Sequence, residues 1–232
     1  MFVKKIEKIF GIDVITGDNY KRALTHPSYI QNTDLTYDEC YERLEFLGDA
    51  VLKLAVSNIL YKEYPTYTEG QMSKIRSIIV SDNILAKVSS EIGLSKLIIA
   101  SEHDLKQGIK KIESVMACSF EAILGAYFLD GKFYELMDFL DIKFQPYIID
   151  VDNNFEKFNA KAILQEYTQS KTKETPIYNV VAAEGADHKK TFTVEVSYRG
   201  NVIAQGSGKS KKEAEQHAAY SACEILGVFN HE

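Results

Sequence analysis

The stretch Tyr41-Glu-Arg-Leu-Glu-Phe-Leu-Gly-Asp-Ala-Val-Leu52 decides how this chain is read. Apolar residues recur at three- and four-residue spacing in Leu44, Leu47, Val51, Leu54 and Ala55, which predicts a helix. On that helix Glu42, Glu45 and Asp49 stand at i, i+3 and i+7, so three carboxylates share one face. Leu44, Phe46, Leu47, Val51, Leu52 and Leu54 surround them, so the expectation is a mostly buried helix. Like charges one turn apart repel and are costly to desolvate, so something positive must compensate. Salt bridges to Arg43, Lys53 or another helix would serve, and so would a bound metal ion. Gly48 costs about 1 kcal/mol in a helix interior relative to Ala. A close approach of another helix at that point would explain it.

Outward from this segment, residues 1–149 keep a helical pattern, seen again in Ile123, Leu124, Tyr127 and Phe128. Pro27, Pro65 and Pro146 are expected at or beyond helix ends. Residues 150–158, DVDNNFEKF, are polar and Asn-rich and read as a linker. From residue 159 to 228 the pattern is different. NAKAILQEYTQSK is an amphipathic helix, broken at Thr175-Pro176. Strand-like runs follow at Ile177–Ala182, Thr191–Tyr198 and Val202–Gln205, with Arg199-Gly200-Asn201 as a turn. Ser210 then caps a last helix, KKEAEQHAAYSACEILG, with Gly227 near its end. The expected fold is α+β, an all-α domain followed by an α-β-β-β-α domain.

Composition narrows the function classes. Hydrophobic residues make up 45% and charged residues 26% of 232, which is a globular rather than a disordered balance. No apolar run approaches a membrane span, and the N-terminus lacks a secretory signal, so a cytoplasmic location is expected. Cys40, Cys118 and Cys223 are widely spaced and odd in number, which argues against a disulfide framework and for reduced thiols. The net charge of −6 is unevenly placed. Residues 1–158 carry 18 Lys and Arg against 24 Asp and Glu, whereas residues 159–232 carry nine of each. The surplus acid therefore lies in the first domain, and nucleic-acid contacts would come from local basic patches.

YERLEFLGDAVL resembles the catalytic-helix signature of the ribonuclease III family. ALTHPSY at 23–29, EGQMSKIR at 69–76 and FEAILGA at 120–126 resemble three further motifs of that family, in its order. The resemblance implies a double-stranded-RNA endonuclease that works as a homodimer, with no small-molecule cofactor and no membrane partner. It assigns divalent ions, normally Mg²⁺ with Mn²⁺ as a substitute, to Glu45, Asp49 and Glu121. It assigns Glu42 and Glu69 to further acidic positions of a catalytic valley formed by two subunits, so that Glu42, Glu69, Asp49 and Glu121 are the expected catalytic set. The implied products carry 5′ phosphate and 3′ hydroxyl ends with short 3′ overhangs, from ribosomal precursors and other structured RNAs.

The resemblance fails at one position. The family's closing helix reads A-D-x-x-E-A, and here Cys118 stands where the Asp would complete the metal site. A thiol is soft and a poor ligand for Mg²⁺. Three outcomes are open: a tolerated loss, a slower or Mn²⁺-preferring enzyme, or a catalytically impaired double-stranded-RNA-binding protein. Residues 159–228 resemble the double-stranded-RNA-binding domain in three contact regions. These are Gln165 and Glu166 on its first helix, His188 in the loop between its first two strands, and Lys209, Ser210, Lys211 and Lys212 at the start of its last helix. Lysines around a helix N-terminus suit phosphate, and such a domain reads A-form shape over about 16 base pairs.

Overall fold

The structure, a computed structural model, describes residues 2–31, 33, 36–185 and 190–229. It divides into two compact units, residues 1–150 and 151–232. In the first unit the helices are α1 (Phe2–Phe10), α2 (Gly17–Ala23), α3 (Pro27–Ile30), α4 (Glu42–Glu63), α5 (Glu69–Ile79), α6 (Asp82–Glu91), α7 (Glu102–Lys106) and α8 (Glu113–Leu129). Helix α9 (Phe133–Asn153) closes this unit and runs a few residues past the division.

Helix α8 is buried on nearly every side from Ser119 to Tyr127, as an apolar helix at the centre of a bundle must be. Helices α2, α4 and α6 pack around it. Helix α4 gives it Leu44, Gly48, Val51, Leu52, Ala55, Val56, Ile59 and Leu60, one stripe at helical spacing. The two helices cross with their backbones nearly touching. A Cβ added at Gly48 would lie 1.7 Å from the Glu121 carbonyl oxygen, and one at Gly125 would lie 2.4 Å from the Leu44 carbonyl oxygen. The helix–helix approach expected at Gly48 is therefore present, and Gly125 is its counterpart on α8.

Three expectations need correction. Helix α4 is not apolar-buried all round the carboxylates, because Phe46 is 83% and Leu54 56% exposed. These two residues, with Tyr61, lie on the stripe turned away from α8. Pro146 lies inside α9 rather than at its end. It removes one backbone donor, but Leu136, Leu140, Phe144 and Ile148 are fully buried on either side and hold the helix in place. The segment read as a linker is helical too. Only Asn154 separates α9 from α10 (Phe155–Thr172). Val151, Phe155 and Phe158 keep the helical spacing, and the polar residues between them are simply the exposed side.

The second unit has the expected order. After α10 come β1 (Ile177–Glu184), β2 (Thr191–Tyr198), β3 (Asn201–Gly208) and α11 (Lys211–Ile225). The strands form an antiparallel sheet in the order β1-β2-β3. Arg199 and Gly200 both have positive φ, 54° and 76°, and make the tight turn between β2 and β3. Val194, Val196, Ala204, Leu164, Ala218 and Ala222 build the core between the sheet and the helices. Glycines in β3 let α11 lie against the strand, since a Cβ on Gly206 would meet the Ala218 backbone nitrogen at 2.1 Å. Cys40 and Cys223 are buried free thiols, and Cys118 is half-buried and also free.

Candidate active site and RNA-binding surface

The site is built where α4 crosses α8. The segment before α4 sets its start: His26 N donates to the Ile99 carbonyl at 2.7 Å, and Tyr41 N donates to the Thr25 carbonyl at 3.0 Å. His26 caps α3 by accepting from Ser28 N at Nδ1, and its ring meets Tyr41 edge-on. Its role is therefore to brace and cap. Burial lowers its pKa, against the opposing pull of Asp104 and Glu42. The Gly48–Gly125 crossing then fixes Glu45 and Asp49 on α4 against Cys118 and Glu121 on α8.

These groups feel one another. Burial, followed by the charges of Asp49, Glu45 and Asp82, pushes Glu121 up to about 8, while Lys53 pulls weakly the other way. Burial also raises Glu45, with Glu42, Asp82 and Asp49 adding to it and a hydrogen bond from Cys118 opposing it. The Cys118 thiol is pushed far above its ordinary range, first by burial and then by the neighbouring Glu45, Glu121 and Asp82. Asp49 is paired with Lys53 at 2.7 Å, the i,i+4 salt bridge that was one alternative from the sequence. Among the described residues, Glu42, Glu45 and Glu121 form no ion pair.

Not every expected residue joins this cluster. Glu42 reaches Glu45 but is not among the groups acting on Glu121. Glu69 opens α5, accepts from Ser73 Oγ at 2.8 Å and lines a groove of about 380 Å³ with Leu54, Ser57, Tyr61, Met72 and Arg76. Within one chain it stands apart from Glu45 and Glu121. Asp82, on the first turn of α6, was missed. Ser81-Asp82-Asn83 carries an ordinary helix-start signal, and nothing in the sequence places it beside α8.

A divalent cation suits the donors, which are carboxylate oxygens carrying more negative charge than their surroundings compensate. Among the described residues, however, no three His, Cys, Asp or Glu side chains already converge into a metal shell. The Lys53–Asp49 pair shows where that negative charge is partly balanced instead.

In the second unit, Gln165 and Glu166 are exposed on α10, and Lys209, Ser210, Lys211 and Lys212 are exposed around the start of α11. Ser210 Oγ accepts from Glu213 N at 3.2 Å, and the Glu213 carboxylate accepts from Lys209 N at 2.6 Å. The Ser210 cap and the Glu213 contact to the preceding backbone N–H fix the basic turn. His188 lies outside the described residues.

Residues 18–147 match the Ribonuclease-III-like family, and residues 160–226 match the double-stranded RNA binding motif. The chain is 43% identical over 224 residues to Ribonuclease 3 of Bdellovibrio bacteriovorus, covering 96% of this chain and 95% of that protein. It is 40% identical over 208 residues to Ribonuclease 3 of Fusobacterium nucleatum, covering 90% and 88%. The crystal structure of the nuclease domain of the Campylobacter jejuni enzyme matches with a TM-score of 0.56 at 29% identity, covering 62% of this chain and 95% of that domain. A second structure of that domain is described for flexibility in a region involved in dimer formation. No helix among the described residues is long and apolar enough to cross a membrane. Two family matches in series, and relatives similar over nearly their whole length, mean that this chain belongs to the ribonuclease III family of double-stranded-RNA endoribonucleases.

Proposed function

We propose that the chain acts as a homodimer and hydrolyses phosphodiester bonds in double-stranded RNA with Mg²⁺, processing ribosomal precursors and other structured RNAs in the cytoplasm. The products would carry 5′ phosphate and 3′ hydroxyl ends with short 3′ overhangs. Residues 1–149 would supply the nuclease domain and residues 159–228 the RNA-binding domain. The observation that carries this reading is the charge at the α4–α8 crossing, where Glu121 is driven up to about 8 by burial beside Asp49, Glu45 and Asp82. Such a group is poised to exchange a proton for a cation.

Glu45, Asp49 and Glu121 would hold the metal. When bound, a divalent ion supplies an activated water and charge neutralisation at the leaving oxygen. The chain's own residues do the positioning. The glycine crossing fixes the spacing between α4 and α8. Lys53 neutralises Asp49 and would release it to a cation. Glu42 and Glu69 would complete the acidic valley in the dimer. The exposed Phe46 supports pairing: it shares an α4 face with Leu54 and Tyr61, which line the adjoining groove. A two-fold contact would set the ring of each subunit against the groove of the other. Gln165, Glu166 and the Lys209–Lys212 turn would track the duplex, and His188 would enter a second minor groove.

The test is cleavage of a labelled duplex of about 30 base pairs, longer than the roughly 16 that one RNA-binding domain spans. Mg²⁺-dependent cutting that is lost in Glu121→Gln is the expected result. Binding without cutting in either Mg²⁺ or Mn²⁺, restored by Cys118→Asp, would instead make the chain a duplex-binding protein silenced at one position.

A further inference from the structure

Helix α5 starts with its backbone held from both sides. Thr68 Oγ1 accepts from Gln71 N at 3.3 Å, and Gln71 Oε1 accepts from Thr68 N at 2.9 Å. Glu69, the first residue inside this cap, therefore has only its side chain left to place. Ser73, one turn on, donates from Oγ to Glu69 Oε1 at 2.8 Å. Arg76 follows on the same face, seven residues after Glu69. It is half-buried and, among the described residues, takes part in no ion pair.

The Arg76 guanidinium is shared between two hydroxyls instead. Nη1 donates to Ser57 Oγ on α4 at 2.7 Å, and Nη2 donates to Ser73 Oγ at a longer 3.4 Å. A guanidinium has donors only, and a serine hydroxyl has one proton to give. Both hydroxyls therefore accept from Arg76 and donate elsewhere: Ser57 to the Lys53 carbonyl at 2.6 Å, and Ser73 to Glu69. The result is a directed chain of hydrogen bonds from the backbone of α4 to the carboxylate at the head of α5, and all four side chains line one groove. Clamping α5 to α4 accounts for the Arg76–Ser57 branch. It does not account for the other branch, which stays within α5 and ends on an exposed carboxylate. A glutamate side chain left free at that position would sample many rotamers. We propose that Arg76, acting through Ser73, is a positioning residue that holds the Glu69 carboxylate in one orientation, registered to α4, for its place in the acidic valley.

This inference rests on the reading that gives Glu69 a part in cleavage, and its test separates the two. Cleavage of a labelled duplex by the full chain in Mg²⁺ is measured over a range of duplex concentrations, so that kcat and KM are read apart. The proteins compared are the unmodified chain, Ser73→Ala, Ser73→Thr, Arg76→Lys, Glu69→Ala and the Glu69→Ala/Ser73→Ala double variant. Ser73→Ala is expected to lower kcat about tenfold at unchanged KM, with an unchanged unfolding midpoint by circular dichroism. Ser73→Thr, which keeps the hydroxyl, retains most of the rate. Arg76→Lys keeps the charge but cannot reach both hydroxyls at once, so its kcat falls part of the way. In the Glu69→Ala background Ser73→Ala costs nothing further, because the carboxylate it orients is gone. Full kcat in Ser73→Ala, with the rate still lost in Glu69→Ala, would overturn the positioning role and leave Glu69 in place. An equal loss in both backgrounds would mean that Ser73 acts otherwise than through Glu69, and would overturn it too. Arg76→Lys as fast as the unmodified chain would remove Arg76 from the relay. Full activity in Glu69→Ala, or no cleavage by the unmodified chain, would overturn both readings.

Discussion

Replacing Gly48 by Ala adds one methyl group at the tightest point of the nuclease unit. On helix propensity alone the change should stabilise α4 by about 1 kcal/mol. The structure reverses the sign. The new Cβ would lie 1.7 Å from the Glu121 carbonyl oxygen, 2.5 Å from its carbonyl carbon and 3.0 Å from Gly125 N. All three are backbone atoms of a helix buried on both sides, so no rotamer change relieves the clash. The helices would have to separate by more than an ångström, which opens the contacts of Leu44, Val51 and Leu52 along the seam. Overpacking costs about 1–3 kcal/mol when side chains can adjust, and a rigid backbone puts this case at the upper end or beyond. Set against the propensity gain, the net loss is about 2 kcal/mol or more. At about 2–4 °C per kcal/mol for a domain of this size, the unfolding midpoint should fall by roughly 4–8 °C. Thermal unfolding followed by circular dichroism measures it. Gly70→Ala is the internal control, because its Cβ would meet nothing nearer than Thr68 Oγ1 at 4.0 Å. The same separation moves Glu121 relative to Glu45 and Asp49, and a displacement near 1 Å can cost about 100-fold in rate. A Gly48→Ala protein as stable as the unmodified chain would refute the reasoning.

The raised Glu121 carries a pH signature: its folded-state pKa of about 8 lies above the ordinary carboxylate value, so the folded chain holds a proton that the unfolded chain releases. Without metal, stability should be greatest below the ordinary carboxylate range and fall as the pH rises through about 8. Allowing for the partial exposure of the group, the loss is on the order of 2 kcal/mol. Urea unfolding of metal-free protein at several pH values would show it, and a flat profile, or no flattening in Glu121→Gln, would count against it. Phe46→Asp should convert a dimer to a monomer in sedimentation velocity, because it places a charge on the exposed apolar stripe of α4; an unchanged sedimentation coefficient would exclude that face. Lys211→Ala and Lys212→Ala should each weaken duplex binding and lower the slope of log affinity against log salt by about 1. A slope that stays constant would remove these lysines from the phosphate contacts.

The sequence was readable wherever its signals were local. Three-and-four spacing gave the helical unit, alternation in Phe192, Val194, Val196 and Tyr198 gave β2, and Arg199-Gly200 gave the turn beside it. Gly48 in a helix interior signalled a close crossing, which is present. Local signals misled where neighbouring structure overrode them. Pro146 reads as a helix end, yet buried residues on both sides carry α9 through it. The polar run at 150–158 reads as a linker, yet its sparse apolar residues keep the helical spacing. Phe46 and Leu54 read as core because hydrophobicity does not reveal which side of a helix meets the bundle.

The carboxylates of α4 and the Cys118 departure were visible in the sequence because helical spacing and motif are properties of neighbouring residues. The pairing of Glu121 with Glu45 and Asp49, the separate position of Glu69 and the arrival of Asp82 from α6 were decided by the tertiary structure. The physical reason is that these relations cross between helices. They depend on how closely α4, α6 and α8 pack, and between α4 and α8 that distance is set by the close approach of Gly48 and Gly125 across the seam. The sequence by itself thus determined which groups carry charge, and only the packed bundle decided which of those charges act on one another.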